Sequence, residues 1–252
     1  MAGRSAPGAS LVDRTVDVLG AFDGEHRALR LGELAARAGL TPSTTLRIAR
    51  RLVAGGLLQR RPDGAYVVGR RLWDLGLLAP VQTDLRDVAS PFLQDLQAAT
   101  RATVHLAQRD GDRVLYLDRL QGSTSVPVVS RVGGRLPLHT TGVGKVLLAH
   151  APEDVQRRVL RELTRVTPYS ITSPALLDRQ LAQVRRDGFA STAGEMDVGN
   201  ASVAVPVRGP DGQVVAALGL VVPALGRDRP RLVAALTVAA AGVSRALRGA
   251  AR

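Results

Sequence analysis

The segment TTGVGK at residues 140–145 combines two glycines with a lysine, residue types that bind phosphate in nucleotide-binding loops. A P-loop also needs an earlier glycine and a following serine or threonine, at positions where this chain has His139 and Val146. The segment therefore fails the pattern twice. Its glycines favour instead a turn that presents backbone N–H groups at the start of a helix, where an anionic group is stabilised. A plain helix-entry turn with Lys145 exposed is the alternative.

Histidines are the other candidates for chemistry, and they stand without any cysteine and at spacings that match no metal site. They are His26, His105, His139 and His150. We therefore expect no metal and no cofactor. Catalysis would need a nucleophile, a base and an orienting carboxylate, which only His139, a neighbouring threonine and Glu195 could supply. Spacing gives this set no support, so we favour a structural or ligand-contacting His139 and expect no enzymatic activity.

Length, composition and charge bound the organisation and partners of the chain. Its 252 residues suit one large domain or a small domain joined to a medium one, and the patterns favour two. The net charge of +12 favours a polyanion as partner, with an arginine-rich solubility surface as the alternative. The start of the chain lacks the apolar core of a signal peptide, and the longest uncharged apolar run, residues 214–225, is too short to span a bilayer. We expect a soluble, cytoplasmic protein without a membrane segment.

Arginines concentrate in residues 41–69, TPSTTLRIARRLVAGGLLQRRPDGAYVVG, where five of them precede the first acid, Asp63. Thr41 can cap a helix at residues 42–53 that has Pro42 at its first position. At about 100° per residue, one face of this helix collects side chains expected to be buried. These are Thr45, Ile48, Ala49, Leu52 and Val53. The opposite face collects Ser43, Leu46, Arg47, Arg50 and Arg51.

The elements around this helix indicate a winged helix-turn-helix over residues 10–69. An S-x-x-D cap at Ser10 opens a first helix, in which Val12 and Val16 recur at helical spacing. A short second helix is expected at residues 32–39. After the basic helix, the runs LLQRR and AYVVG flank a Pro-Asp-Gly turn and predict a hairpin. A basic helix after a tight turn, followed by a hairpin wing, is an arrangement that reads DNA.

The exposed side chains of the basic helix and the hairpin are the candidate DNA contacts. Arg47 and Arg50 could each donate two hydrogen bonds to a guanine edge, and Leu46 could touch a thymine methyl. Phosphate, minor-groove or mixed contacts are expected from Ser43, Thr44, Arg51, Arg60 and Arg61. The alternative is a solvated helix with arginines for solubility, which the segregation of charge on one face disfavours.

The rest of the chain predicts a linker helix at residues 70–82 and an α+β domain at residues 83–252. Further helices are expected at residues 91–100, 144–150 and 174–188, from Pro152 onwards, and at 230–248. Strands are expected at residues 104–108, 114–119, 126–131, 202–207 and 213–222. Residues 1–9 are expected to form a flexible tail.

Two long segments resemble one known family. They are GGRLPLHTTGVGKVLLA at residues 133–149 and RDGFASTAGEMDVGNASVAVPVRGPDGQVVAALGLVVP at residues 186–223. Both are similar, in the expected order, to motifs of the IclR (isocitrate lyase regulator) family of bacterial transcription factors. The resemblance implies an N-terminal winged helix-turn-helix domain, a linker helix used in dimerisation and a C-terminal GAF-like domain that binds a small organic or aromatic acid. It also implies homodimers or homotetramers that act on a double-stranded DNA operator as repressor or activator.

Carried over by position, the resemblance implies an effector-binding pocket in the C-terminal domain. Its residues in this sequence are Leu136, His139, Thr140, Thr141, Gly142, Glu195, Met196, Ser202, Gly219 and Val221. The chain departs from the family pattern at Thr192, where an aspartate is common, and at Ser202, where a cysteine is common. Gly219 and Val221 stand where serines are frequent. We therefore expect an effector that is more apolar or bulkier than a two- or three-carbon acid.

Two other functions remain compatible with the residues. One is an enzyme that acts on a small acid and is tethered by a basic domain, which the lack of a catalytic set disfavours. The other is a non-specific nucleic-acid binder, which would bind any duplex with equal affinity. Trp73 and Leu75 of the predicted linker helix suit dimer or interdomain packing, with a place in the core of a monomer as the alternative.

Overall fold

The computed structural model describes residues 10–77, 83–122 and 127–250, and the chain divides into two compact units at residues 1–81 and 82–252. Each unit has a hydrophobic core of its own. The tail predicted at residues 1–9 and the end of the predicted linker helix, residues 78–82, lie outside the described residues.

Three helices build the core of the first unit. They are α1 (Leu11–Gly20), α2 (Leu31–Ala38) and α3 (Pro42–Ala54). The predicted cap of α1 is present, since the Ser10 hydroxyl accepts from the Asp13 N–H at 3.1 Å and the Asp13 carboxylate accepts from the Ser10 N–H at 2.9 Å. α2 ends at Gly39, whose φ of 65° lets the chain turn sharply into α3.

The buried side of α1 is not the side that carries the recurring valines. Val18 is fully buried in a cluster with Leu34 and Ile48, whereas Val12 and Val16 are exposed. Val16 and Val12 precede Val18 by two and six positions, so they point to other sides of the helix than Val18 does, and only the side of Val18 faces the core. The spacing of the valines correctly predicts a helix, but which side is covered depends on where α2 and α3 pack.

A three-stranded antiparallel sheet completes the first unit. Its strands are β1 (Ala28–Leu29), β2 (Leu58–Arg60) and β3 (Tyr66–Val68), in the order β1-β3-β2. In the predicted turn between β2 and β3, Gly64 has a φ of 84° and the Asp63 carboxylate accepts a backbone N–H at 3.1 Å. Leu58 and Tyr66 are buried among the helices, which fixes the wing to the core. β1 was not predicted, because two residues carry no alternating pattern.

The helix α4 (Arg70–Leu77) begins directly after the wing. The Gly69 N–H donates to the Leu57 carbonyl at 2.9 Å, and the Arg71 N–H donates to the Gly56 carbonyl at 3.3 Å. These bonds tie the start of α4 to the segment that follows α3. Trp73 and Leu75 are exposed, so neither belongs to the core of the first unit.

The second unit is a six-stranded antiparallel sheet with helices on both faces, which confirms the predicted α+β class. Its strands are β4 (Thr103–Asp110), β5 (Arg113–Leu120), β6 (Arg135–Pro137), β7 (Ala190–Ala193), β8 (Ala201–Arg208) and β9 (Val214–Val222), in the order β6-β5-β4-β9-β8-β7. Its helices are α5 (Thr83–Thr100), α6 (Gly142–Ala149), α7 (Glu153–Arg161), α8 (Pro174–Asp187) and α9 (Arg229–Ala250).

Side chains alternate along the strands between two cores. On one face of the sheet, Val203 and Leu218 pack in the core that holds residues of α5 and α9. On the other face, the small side chains of Ala107, Ala204 and Ala217 belong to the core of α6. Because these side chains are small, α6 lies close to the sheet, and every residue of α6 is buried.

The helix α9 and the turn before it, residues 226–250, have the length and apolar composition of a membrane span, with a mean hydropathy of 1.3. Leu232, Leu236 and Val243 of α9 are buried in the core of the second unit. An amphipathic core helix packs in this way, so its composition is only weak evidence for a membrane segment.

The strand predicted at residues 126–131, whose first residue lies outside the described part, is not formed in the remainder. Pro127 has no N–H to give to a strand ladder. The hydroxyl of Ser130 lies 2.7 Å from Nε2 of His105, and the carbonyl of Ser130 accepts from the Arg119 side chain. The edge of β5 is paired instead with β6, a short strand that the sequence pattern did not reveal.

The helix α5 begins at Thr83, earlier than the predicted start at Pro91. A proline inside a helix removes one backbone hydrogen bond, which made Pro91 resemble a first position. Burial of Leu85 and Ala89 in the core against α9 offsets that loss.

We expect Gly69→Ala to destabilise the junction of the wing and α4. A Cβ at this position would lie 2.2 Å from the Gly56 carbonyl oxygen, so backbone must move, at a cost of roughly 1–3 kcal/mol. Gly76→Ala is the matched control, because its site on α4 is open and alanine favours a helix. Hydrogen exchange over residues 56–71, read by mass spectrometry, should accelerate only in Gly69→Ala. Equal exchange in the two variants would contradict the close approach.

Candidate functional site

The outer face of α3 is basic and open to solvent. Its exposed residues are Ser43, Arg47, Arg50 and Arg51, with Thr44 and Leu46 half-buried. The buried residues of the opposite face are Thr45, Ile48, Ala49 and Leu52, with Val53 half-buried. Within the described part of the chain, none of the guanidinium groups of these three arginines has a hydrogen-bond or ion-pair partner. Their guanidinium groups are therefore available to phosphates or base edges.

The start of α3 is ordered by Thr41. Its hydroxyl accepts from the Thr44 N–H at 3.4 Å and lies 3.2 Å from the Ser43 hydroxyl, and its carbonyl accepts from the Thr45 hydroxyl at 3.0 Å. The first turn thus presents hydroxyl groups held in place by the cap. In helix-turn-helix proteins this end of the recognition helix is the part that meets base edges.

The two wing arginines are exposed but have local contacts. The Arg60 guanidinium lies 5.8 Å from the centre of the Tyr66 ring, a cation–π distance across paired strands. Arg61 Nε lies 3.8 Å from the Asp63 carboxylate. An exposed pair at that distance is weak, so a phosphate can replace the carboxylate.

A cavity lies in the second unit beside the start of α6, between that helix and the sheet. Its empty space is about 520 Å³, a figure that includes open solvent at the mouth. Eight of the ten residues carried over from the family lie along it. They are Leu136, Thr140, Thr141, Gly142, Met196, Ser202, Gly219 and Val221.

His139 and Glu195, the other two expected effector contacts, do not line this cavity. His139 Nε2 bonds to the Thr164 carbonyl at 2.9 Å, and burial lowers the pKa of the ring. The Glu195 carboxylate is turned to Lys145, whose ammonium lies 2.7 Å and 2.8 Å from its two oxygens. Both side chains have therefore found partners elsewhere in the fold, and the one catalytic set that the sequence could offer is not assembled.

Lys145 is buried, with 1% of its side chain exposed, so the alternative of a turn with an exposed lysine is wrong. Its third acceptor is the Gln180 side-chain oxygen at 2.8 Å. Burial lowers the pKa of Lys145 and raises the pKa of Glu195, and the attraction between the two charges opposes both shifts. A buried pair of this kind is stable only while both partners are present.

An aromatic corner forms one wall of the cavity. The rings of His105 and Tyr116 meet edge to face with centres 4.9 Å apart. Burial lowers the pKa of His105 to about 3, and Arg119 adds to the shift, so the imidazole is neutral near pH 7. Burial also raises the pKa of Tyr116, which keeps its phenol protonated. The neutral imidazole of His105 has one hydrogen-bond donor and one acceptor.

The start of α6 forms the opposite wall and supplies backbone N–H groups. Thr141 is the N-cap, and its hydroxyl accepts from the Gly144 N–H at 3.1 Å. The Gly142 N–H donates to the Ser202 hydroxyl at 3.2 Å. Within the described residues, the Val143 N–H has no acceptor. It is therefore free to donate to a bound anion, which the helix dipole also favours.

Gly219 stands where strand β9 passes α6. A Cβ at this position would lie 2.7 Å from Cγ1 of Val143. The glycine therefore admits the helix rather than adding space for a ligand. The cavity is less polar than a pocket with serine at this position, but it is not larger for that reason.

Six polar or aromatic residues of the cavity were not among the predicted contacts. They are His105, Tyr116, Ser130, Thr192, Asp197 and Asn200. His105 could have been found, because a histidine inside the apolar run at residues 103–107 is unusual for a core strand, whereas no such signal marks Tyr116. The others come from loops and strand ends that only tertiary folding brings together.

Two models of one protein family match this chain, one in each unit. The family model of the bacterial transcriptional regulator IclR C-terminal domain matches residues 79–245, more than half of the chain. The model of the IclR helix-turn-helix domain matches residues 11–62. The chain belongs to the IclR family.

IclR-family relatives are similar over most of this chain. The HTH-type transcriptional regulator KdgR of Escherichia coli (strain K12) is 33% identical over 227 residues, which are 88% of this chain and 86% of its own. XynR of the same organism is 32% identical over 212 residues, 83% of this chain and 84% of its own. The crystal structure of an IclR homolog complexed with 4-hydroxybenzoate from Microbacterium hydrocarbonoxydans has a TM-score of 0.91 at 36% identity and covers 95% of this chain and 100% of its own.

This IclR-family chain is therefore a ligand-responsive transcriptional regulator with an N-terminal helix-turn-helix domain and a C-terminal effector-binding domain. The resemblance on which that expectation was based is confirmed.

We expect acid to destabilise the second unit in part through His105. Its pKa is about 3 in the fold, below the ordinary value of 6.5, so the unfolded chain takes up a proton first as the pH falls. Stability from this group is complete above pH ~6.5 and is lost between there and pH ~3, by up to about 1.4 kcal/mol per pH unit. His105→Gln removes the titration, so its melting temperature should fall less steeply between pH 7 and pH 5. Parallel slopes in the two proteins would contradict the buried neutral state.

Proposed function

We propose that this regulator binds an operator as a homodimer through α3 and the wing, and that a small aromatic acid in the cavity of the second unit controls this binding. The observation that carries the proposal is the presence, in one chain, of an unpaired basic helix face and a separate cavity with an anion-attracting helix start. We place its action in the cytoplasm, where bacterial DNA lies.

In the proposed DNA complex the outer face of α3 enters the major groove. Arg47 and Arg50 read base edges, with Leu46 against a thymine methyl. Contacts to phosphates or mixed contacts come from Ser43, Thr44, Arg51, Arg60 and Arg61. The guanidinium groups of α3 have no partner among the residues that the structure describes, which supports these roles, because no such bond has to break when DNA binds.

A homodimer would place two copies of α3 on half-sites about one helical turn of DNA apart. Exposed apolar side chains on two helices of the first unit support an association surface: Leu11, Val12 and Val16 of α1, and Trp73 and Leu75 of α4. Isolated apolar residues are common on surfaces, but five large exposed ones on two short helices of one small unit favour an interface. Pairing of two such dimers would give the tetramer.

The proposed effector is a monocyclic aromatic acid. Its carboxylate would bind the Val143 N–H and the hydroxyls at the start of α6, and its ring would lie against His105 and Tyr116. None of the described residues that line the cavity is lysine or arginine, and Asp197 is a carboxylate. A dianion would therefore be disfavoured. The 4-hydroxybenzoate complex of the Microbacterium homolog supports this class of ligand.

We propose regulation rather than catalysis as the role of the second unit. The matched relatives carry the names of transcriptional regulators. His139 bonds to the Thr164 carbonyl and Glu195 to Lys145, so these two side chains are not paired as a catalytic base and its orienting carboxylate. A change of operator affinity on effector binding needs a coupling free energy of only about 1–3 kcal/mol.

We expect Arg47→Ala to weaken binding to the operator and to relax the base preference at one position, since a bidentate guanine contact is worth about 1–3 kcal/mol. Arg61→Ala should weaken binding to operator and random duplex alike, because it removes a phosphate contact. Arg179→Ala on α8 is the control, with the same loss of charge at an exposed position of the second unit. Gel shifts at two salt concentrations measure these affinities. Unchanged affinity in Arg47→Ala would refute the assignment of α3, and equal affinity of the parent for all duplexes would indicate a non-specific binder.

We expect 4-hydroxybenzoate to raise the melting temperature of the protein and to shift its operator affinity, while glyoxylate and pyruvate do neither. Val221→Phe should abolish the effect, because the larger side chain fills space along the cavity. Val238→Phe is the matched control on the exposed side of α9. Thermal-shift assays and calorimetry with each acid measure the response. Micromolar binding of glyoxylate or pyruvate without binding of larger acids would overturn the effector class, and conversion of an acid to product would favour the enzyme.

A further inference from the structure

The buried ion pair of Lys145 and Glu195 joins two parts of the second unit that lie far apart in sequence. Lys145, the single lysine of the chain, is in the first turns of α6. Its ammonium has three acceptors, two from Glu195 and one from Gln180 of α8. Only 1% of the lysine side chain and 8% of the glutamate side chain are exposed, so water does not solvate either charge.

Glu195 belongs to the segment between β7 and β8, residues 194–200, here called the wall segment. Its start is held by hydroxyl groups as well as by the ion pair. The Thr167 hydroxyl donates to the Gly194 carbonyl at 2.6 Å, and the Ser170 hydroxyl donates to the Glu195 carbonyl at 2.7 Å. The backbone at Glu195 is therefore anchored independently of its side chain, and the ion pair adds a link to α6.

The residues that follow Glu195 line the cavity. Met196, Asp197 and Asn200 are all part of its wall. The Thr140 hydroxyl, at the start of α6, donates to the Met196 sulfur at 3.2 Å. The Asn200 amide donates to the Asp197 carboxylate at 2.6 Å and to the Pro127 carbonyl at 2.8 Å. The wall segment thus meets the start of α6 at Met196 and continues along the cavity from there.

We propose that Lys145 and Glu195 are positioning residues of the effector cavity. Their ion pair fixes the wall segment relative to α6, and so sets the position of Met196, Asp197 and Asn200 along the cavity without touching the effector. The inference rests on the proposed effector site, and it changes the expected role of Glu195 from a direct contact to an indirect one. Burying two charges is energetically costly, but the pair specifies one geometry. If the wall segment moved relative to α6, both buried charges would lose their partners.

The test uses three variants of the full chain. Glu195→Gln keeps the size of the side chain and leaves the lysine charge without its partner. The double variant Lys145→Met/Glu195→Met removes both charges and keeps two long apolar side chains. Glu153→Gln breaks an exposed ion pair with Arg157 on α7 and is the control. Calorimetry with 4-hydroxybenzoate, gel shifts without effector, and hydrogen exchange of residues 193–200 are measured for each.

We expect Glu195→Gln to weaken 4-hydroxybenzoate binding at least tenfold and to speed exchange of the wall segment, with effector-free operator affinity within twofold of the parent. The double variant should regain affinity to within about threefold of the parent, because two packed methionines still join the same positions and no unpaired charge is left. Parental affinity in Glu195→Gln would overturn the proposal. A double variant as weak as Glu195→Gln would overturn it too, since it would make Glu195 a direct effector contact.

Two further outcomes stay decisive. If Glu195→Gln does not fold, Glu195→Asp replaces it, because aspartate keeps both charges but shortens the link to Lys145. Lost 4-hydroxybenzoate affinity with faster exchange of residues 193–200 would support the positioning role, and parental affinity with parental exchange would contradict it. If 4-hydroxybenzoate does not bind the parent, the proposed effector class fails, and exchange of the wall segment tests the anchor separately. Unchanged exchange in Glu195→Gln would then refute it.

Discussion

The close approach of α6 to the sheet is the constraint on which the second unit depends. Alanines on three strands and Gly219 on a fourth position leave the space that the helix fills. A Cβ at position 219 would lie 2.7 Å from Cγ1 of Val143. Any residue larger than glycine would therefore push the helix away from the strand and open the core. This packing also sets the place of the cavity, because the start of the same helix forms one of its walls.

Because all of α6 is buried, the ammonium of Lys145 loses its water ligands and needs acceptors within the fold. Glu195 and Gln180 accept its hydrogen bonds from two other elements. The ion pair is therefore a consequence of the helix packing, and it constrains the loop that carries Glu195. A short sequence of causes leads from small side chains in the sheet, through a buried helix and a buried charge, to a fixed cavity wall.

Local pattern predicts the first unit better than the second. The faces of α3 follow from helical periodicity, and its cap, the turn at Gly39 and the wing turn follow from residues that act on their immediate neighbours. The partners of His139 and Glu195 could not be predicted in this way, because they depend on segments 25 and 50 residues away. The same holds for Ser130, whose segment was predicted as a strand but bonds to side chains of the sheet. Polar residues in apolar surroundings were visible in the sequence, but the direction of their hydrogen bonds was not.

The distribution of charge indicates that binding of DNA and binding of the effector depend differently on salt. The chain has a net charge of +12, yet none of the described cavity residues is lysine or arginine, and the buried lysine is neutralised by Glu195. Free cationic groups instead stand on α3. Binding to DNA releases counterions and weakens steeply as salt rises. Binding of a monoanion through helix N–H groups, hydroxyls and aromatic walls, as proposed for the effector, neutralises far fewer charges, so its affinity falls much less steeply as salt rises. The two proposed binding reactions should therefore differ in salt dependence, which is steep for the operator and shallow for the effector.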